Sequence, residues 1–255
     1  MHRVLFQIGD FKVYSFGLAV LAAFLAAFFV ARKRAARYGL TSANVNDAAF
    51  WTLLVGVIGA RIGFIVQDLK YFLKRPAELL QWQFQGLTSF GGILFGLGYL
   101  ALYARLARKP IWNVFDMISA PFLLAYAIGR IGCLLNGCCH GAPSTLPWAV
   151  AVEGRPGLYA PAQAYEMLLS LAAFGGMLLL ESRPIPSGRA FAAGLMAFGA
   201  VRFVSEIWRA GWTSTFAGNL PLTDAQIVSI AAIVIGAILW RLRRRAPRLP
   251  MPEPE

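Results

Sequence analysis

The sequence predicts an all-α polytopic membrane protein of about seven transmembrane helices, with the N-terminus outside and the C-terminus cytoplasmic. Three observations predict it. Of the 255 residues 58% are hydrophobic and only 14% charged, where a soluble domain carries about 25% charged residues, so the chain cannot clothe a water-facing surface of its size. Apolar runs at or near membrane length, about 18 residues with few charges, recur along it. The charges themselves are lopsided, 24 Lys+Arg against 12 Asp+Glu for a net +12, and their distribution between connections carries an orientation. A basic excess alone would raise nucleic acid as a partner; the apolar runs account for it instead, and no nucleic acid is expected. Three Cys in one short stretch are too few for a disulfide framework.

The apolar runs fall at about 13–31, 46–66, 89–104, 113–136, 161–181, 190–208 and 225–240, separated by basic or Pro/Gly-rich breaks. The first is long and is followed, not preceded, by its basic cluster Arg32, Lys33, Arg34 and Arg37, which reads as a helix of the mature protein rather than a secretory signal. The fifth opens at Pro161, a residue suited to a first helical turn. Residues 1–240 therefore form one membrane domain, and 241–255 a basic, Pro-rich tail whose composition suits a disordered cytoplasmic end. No internal repeat of the transporter kind stands out, which argues against an inverted-repeat transporter.

With the N-terminus outside, the cytoplasmic connections hold 14 basic residues, among them Arg105, Arg108, Lys109, Arg183, Arg189 and the Arg241–Arg248 group, and the opposite side holds six. These loop charges read as solvated faces against lipid head groups, with no chemistry of their own. Four Arg are left inside or at the outer end of apolar runs: Arg61, Arg130, Arg202 and Arg209. A cation at membrane depth costs a few kcal/mol on insertion scales and is by default functional. The long connections, 67–88 and 137–160, lie on the outer side, which makes that the working face.

On the sixth run Arg202, Glu206 and Arg209 are spaced i, i+4, i+7, within about 60° of one helix face. Both Arg can share Glu206, and the group's net charge of +1 suits an anion whose oxygens match the guanidinium fork, such as phosphate. Its structural alternative is an ion-pair network tying helices together. On the fourth run Tyr126, Arg130 and Cys133 share a face, within a stretch that packs four Gly, Arg130, Asn136, three Cys and His140 into residues 129–141. Gly59 and Gly63 on the second run make a small-xxx-small pair beside Arg61. Gln163 and Glu166 lie on one side of the fifth. Cys133, Cys138, Cys139 and His140 offer four metal ligands, but adjacent Cys138 and Cys139 rarely reach one ion without strain, so no metal and no cofactor is expected.

In these residues the sequence resembles the prolipoprotein diacylglyceryl transferases of bacterial inner membranes. The resemblance runs in order through Tyr14, Gly59-Ala60-Arg61-Ile62-Gly63-Phe64, Gly91-Gly92, Gly129-Arg130-Ile131-Gly132, Asn136-Gly137, Pro161…Gln163…Tyr165-Glu166, Arg202-Phe203…Glu206…Arg209 and Leu222-Thr223…Gln226. It implies transfer of the diacylglyceryl group of phosphatidylglycerol to the thiol of the lipobox cysteine in a prolipoprotein signal peptide, releasing glycerol phosphate. It also implies a multi-pass protein of the inner (cytoplasmic) membrane, among membrane lipids, with its active site toward the outer face. Arg130 and Arg202 would then bind the phosphate, Tyr14 and Asn136 would line the head-group pocket, and Glu206 with Arg209 would support it. Arg61, Gln163 and Glu166 complete the substrate-binding set.

The sequence also departs from the family. A His before the Gly-Gly of the third run is usual there, and Phe90 stands in its place. Cys133 and Cys138 replace the usual Asn and acidic residue of the fourth-run signature, and Ala60 a common Gly. His140 is the candidate replacement base, since a neutral imidazole suits thiol deprotonation near neutral pH; its structural alternative is a loop histidine. Cys133 or Cys138 could instead act as a nucleophile activated by Arg130, or be small core residues. Two alternatives to the transferase stay open: a paralogue moving lipid to another acceptor, and a non-catalytic phospholipid-binding or phospholipid-translocating protein.

Overall fold

The computed structural model describes residues 4–8, 11–76, 88–209 and 222–249. The architecture is that of a polytopic helical membrane protein. Six helices are long and apolar enough to cross a membrane, and a seventh apolar helix, over Gly91–Leu106, is shorter. Their exteriors are largely apolar and exposed, as a lipid-facing surface requires. The described chain divides into two compact units, one of Met1–Tyr38 with Phe115–Glu255 and one of Gly39–Val114.

In the first unit an antiparallel hairpin of β1 (Val4–Ile8) and β2 (Phe11–Tyr14) leads into α1 (Ser15–Arg34). The hairpin has no counterpart in the sequence reading, and Tyr14, expected inside the first helix, is instead the last strand residue and the N-cap of α1. Later elements of this unit are α5 (Ile111–Asn136), from Phe115 onward, α6 (Ala162–Glu181), α7 (Arg189–Ser205) and α8 (Asp224–Leu242). Pro121 sits inside α5, where it removes one backbone donor from the ladder. α7 begins after Gly188, and the buried carboxylate of Asp116 on α5 accepts from the backbone N–H of Gly188 at 2.5 Å and of Phe191 at 2.7 Å. One helix thus caps another's orphan donors. α8 opens with a capping box, Gln226 N–H donating to Thr223 Oγ1 and Thr223 N–H to Gln226 Oε1.

Small residues set the helix spacing. A Cβ on Gly199 would meet the Ser229 carbonyl oxygen of α8 at 2.8 Å, and one on Gly132 the Ala19 Cβ of α1 at 2.7 Å. At the other end of this unit, Arg34 pairs with the buried Glu181, which also accepts from Tyr38 Oη at 2.7 Å, and Arg37 donates to the Arg183 carbonyl at 2.8 Å. Arg34 and Arg37 were expected to be solvated orientation charges; Arg34 turns inward because Glu181, at the end of α6, cannot be buried unpartnered, and Arg37 is buried on the Arg183 carbonyl. The start of the tail is likewise held. Ser187 N–H donates to the Pro247 carbonyl, Leu249 N–H donates to the Ile185 carbonyl, and Leu249 is buried. Residues 241–249, expected to be disordered, are therefore ordered: α8 runs to Leu242 and backbone pairing with the α6–α7 connection holds the rest; the expectation for residues 250–255 lies outside the described residues.

In the second unit α2 (Ser42–Gln67), with its capping box at Thr41 and Asn44, packs on α4 (Ser89–Leu106); the short α3 (Leu69–Lys74) follows α2. The predicted small-residue pair is the contact. A Cβ on Gly63 would meet Thr88 Oγ1 at 2.5 Å and Gly91 Cα at 3.0 Å, so the two backbones touch. Phe90, at the position of the family's usual His, lies in the first turn of α4.

Candidate active site

The chain brings α5, α6 and α7 together on one carboxylate. Glu166, in the first turns of α6, is 1% exposed. Its Oε1 accepts from Tyr126 Oη at 2.5 Å and lies 3.7 Å from Arg202 Nη1, while its Oε2 lies 3.1 Å from Arg130 Nε. Arg130 also donates from Nη2 to Tyr126 Oη and places its guanidinium carbon 4.5 Å from the Tyr126 ring centroid. The i, i+4 spacing on α5 is what brings these two side chains into contact.

A second carboxylate extends the cluster. Glu206 begins the 3-10 turn Glu206–Trp208 that ends α7, and its Oε2 lies 2.7 Å from Arg202 Nη2 and 4.0 Å from Arg209 Nε. The two Arg share Glu206, as the spacing predicts, although the last turn is tightened from α to 3-10. Arg202 Nη1 also donates to Ser205 Oγ at 3.3 Å. Three guanidiniums against two carboxylates leave one net positive charge in a low-dielectric setting, where it acts strongly on an anion. Among the described residues, the buried Arg209 Nε and Gln163 Oε1 have no hydrogen-bond partner.

The connection after α5 is built by a helix cap. Gly137 takes a φ of 74°, its N–H donates to the Leu134 carbonyl, and Cys138 N–H reaches back to Cys133 O at 3.1 Å. This is the Schellman arrangement that an Asn-Gly ending favours. Gln163 Nε2 then donates to the Cys138 carbonyl at 2.6 Å, tying the cap to α6. Gly141 N–H bonds the Ala160 carbonyl and Ala142 N–H the Trp208 carbonyl, so the connection is stitched to the start of α6 and the end of α7. A short antiparallel pair with two residues per strand, β3 (Val150–Ala151) with β4 (Leu158–Tyr159), closes it. Hydrogen bonding among the three thiols, with the Arg209 and Arg130 charges beside them, draws the Cys139 thiol well below the usual thiol range.

Of the residues chosen from sequence, Arg130, Glu166, Arg202, Glu206 and Arg209 form one connected ion-pair cluster, and Gln163 flanks it through the cap. Asn136 is the last residue of α5. His140 is 3% exposed, with Nδ1 2.9 Å from the Gly141 carbonyl oxygen and its ring 4.6 Å from that of Tyr159. Tyr14 stands exposed at the hairpin–helix junction. Arg61 belongs to the second unit, where its guanidinium lies 5.8 Å from the rings of both Phe64 and Phe72. Tyr126 joins the site although the sequence marks only its place on the Arg130 face; the i, i+4 spacing is the signal. Ser205 carried no signal, since its role depends on the tightened end of α7.

Fold and cluster together define a multi-pass membrane protein with a net-cationic arginine–carboxylate centre among its membrane helices. The chain belongs to the family described as prolipoprotein diacylglyceryl transferase, whose sequence profile matches residues 3–242. It is similar to the phosphatidylglycerol–prolipoprotein diacylglyceryl transferases of Clostridium tetani, 27% identical over 96% of this chain and 98% of the other, and Solidesulfovibrio magneticus, 34% identical over 94% and 93%. That of Bordetella avium is 30% identical over 97% of each.

Proposed function

We propose that this protein transfers the diacylglyceryl group of phosphatidylglycerol to the lipobox cysteine thiol of a prolipoprotein, releasing glycerol phosphate. Family membership supports the reaction class, and the observation that carries the reading is the buried Arg130–Glu166–Arg202–Glu206–Arg209 cluster with its net positive charge. In the reaction the acceptor sulfur forms a bond to the glyceryl carbon, the carbon–oxygen bond to phosphate breaks, and the thiol proton leaves to a base. Charge builds on the departing phosphate where water is scarce, so guanidiniums fixed in advance lower the barrier. Arg130 and Arg202 bind that phosphate. Glu166 and Glu206 hold the two guanidiniums in position, Arg209 adds a donor, and Gln163 anchors the cap beside them. Tyr14 and Asn136 contact the head group, and His140 takes the thiol proton; for Arg61 a substrate contact rests on the family's sequence pattern alone.

The protein is read as an inner-membrane protein with the N-terminus and active site outward and the C-terminus cytoplasmic. The charge bias supports this. Residues 1–240 form the transferase domain and the basic residues after 240 its cytoplasmic tail. The test is reconstitution: purified protein with phosphatidylglycerol and a lipobox peptide yields a thioether-linked diacylglyceryl peptide and free glycerol phosphate. Phe90 at the family's usual His position favours a second reading, a lipid-binding relative without this chemistry. Lipid binding without product, in an assay where an active family member turns over, would establish that second reading and sink the first.

A further inference from the structure

We propose that Cys133, Cys138 and Cys139 form a three-thiolate site for a thiophilic d10 metal cation of the zinc class. Their three sulfur atoms all lie within 4.8 Å of one another, and each residue is half-buried, so an ion can reach them. With metal–sulfur bonds of about 2.3 Å, three sulfurs around one ion stand about 4 Å apart; closing the site needs shifts of less than about 1 Å. Thiolates are the soft ligands such cations prefer.

Two adjacent cysteines ordinarily reach one ion only under strain. The backbone meets it at two points. The Schellman cap at Gly137 folds Cys138 back over Cys133, with Cys138 N–H on the Cys133 carbonyl oxygen. Cys139 then takes a φ of 62°, one of two described non-glycine residues in the left-handed region, and this turn puts consecutive side chains at one point instead of on opposite sides. A non-glycine residue held there marks a functional constraint more often than chance. His140 is not part of the set, since the ligand atoms that cluster are those of the three cysteines.

Charge is compatible as well. Arg130 Nη1 lies 3.8 Å from Cys133 Sγ. Three thiolates around a divalent cation carry one net negative charge, matched by the one net positive charge of the neighbouring arginine–carboxylate cluster. This site is independent of the transferase reading, because its readout is metal binding and not turnover.

The test uses full-length protein in detergent, reduced with a phosphine, desalted without oxygen and titrated with Cd2+. One equivalent per chain should saturate an ultraviolet sulfur-to-metal charge-transfer absorption, and Cys139→Ser should weaken binding by more than about tenfold. On the wild-type chain, bound Cd2+ should protect all three thiols together from alkylation, as counted by mass spectrometry. The proposal is overturned if stoichiometric Cd2+ gives no such absorption, if a Cys138→Ser/Cys139→Ser variant retains it, or if alkylation ignores Cd2+. The alkylation measurement decides the matter even where the variants fail to fold.

Discussion

Glu166 organises its neighbourhood at the residue scale. It is a buried anion touched by a phenol and two guanidiniums, and it leaves donor groups of both Arg for an anion that enters. Replacing Arg130 or Arg202 by Ala should therefore cut turnover by about 10²–10³-fold or more, while the variants still insert and are extracted as folded protein. Wild-type rates in both would make the cluster an ion-pair brace and nothing more. A separate prediction concerns the proton. With His140 as base, His140→Gln should cut the rate by about 10²-fold or more, measured with saturating lipid; an unchanged rate would pass the role to water, phosphate or substrate. The sequence named most of this cluster because charged residues inside apolar runs are conspicuous. Ser205 was invisible because a hydroxyl at a helix end is ordinary until the last turn tightens.

Caps do at the scale of elements what propensity cannot. The α6–α7 connection is Pro/Gly-rich, and α7 starts only because Asp116, from the opposite helix α5, accepts two of its first N–H groups. Asp116→Ala leaves those donors unsatisfied in a buried place, at about 1–3 kcal/mol. A lowered thermal midpoint in detergent is the expected result, and an unchanged midpoint would mean water or another group replaces the cap. The capping boxes at Thr41 and Thr223 are local and readable three residues on. Asp116 was not readable, because its partners lie more than 70 residues away. The hairpin before α1 and the 3-10 end of α7 were missed for a related reason: both are short segments whose form depends on what they meet.

For the whole molecule, the apolar lengths were legible from sequence and correspond to helices within a few residues, the third of them short for a span. The charge bias supports the proposed orientation, but it overstated how many basic side chains are solvated. Arg34 is spent on Glu181, whose carboxylate is fully buried. Glu181→Leu leaves Arg34 without its partner and should destabilise by about 3–5 kcal/mol, at the lower end because the Arg34 side chain is 18% exposed. Adding Arg34→Met should recover much of the loss. Equal thermal midpoints for wild type and Glu181→Leu would show the pair to be dispensable.

By itself the sequence determined that this chain lives in a membrane, roughly where its helices run, which cations sit too deep to be loop charges, and which family's pattern it follows. The first three follow from composition, run length or spacing, the last from a resemblance carried by short motifs in order, and all are local along the chain. The tertiary structure decided which carboxylate each arginine meets, that a carboxylate on α5 starts α7, and that a glycine cap and a left-handed cysteine gather three thiols at one point. Those depend on segments distant in sequence, or on backbone turns that no residue type dictates alone, and they exist only once the helices have packed.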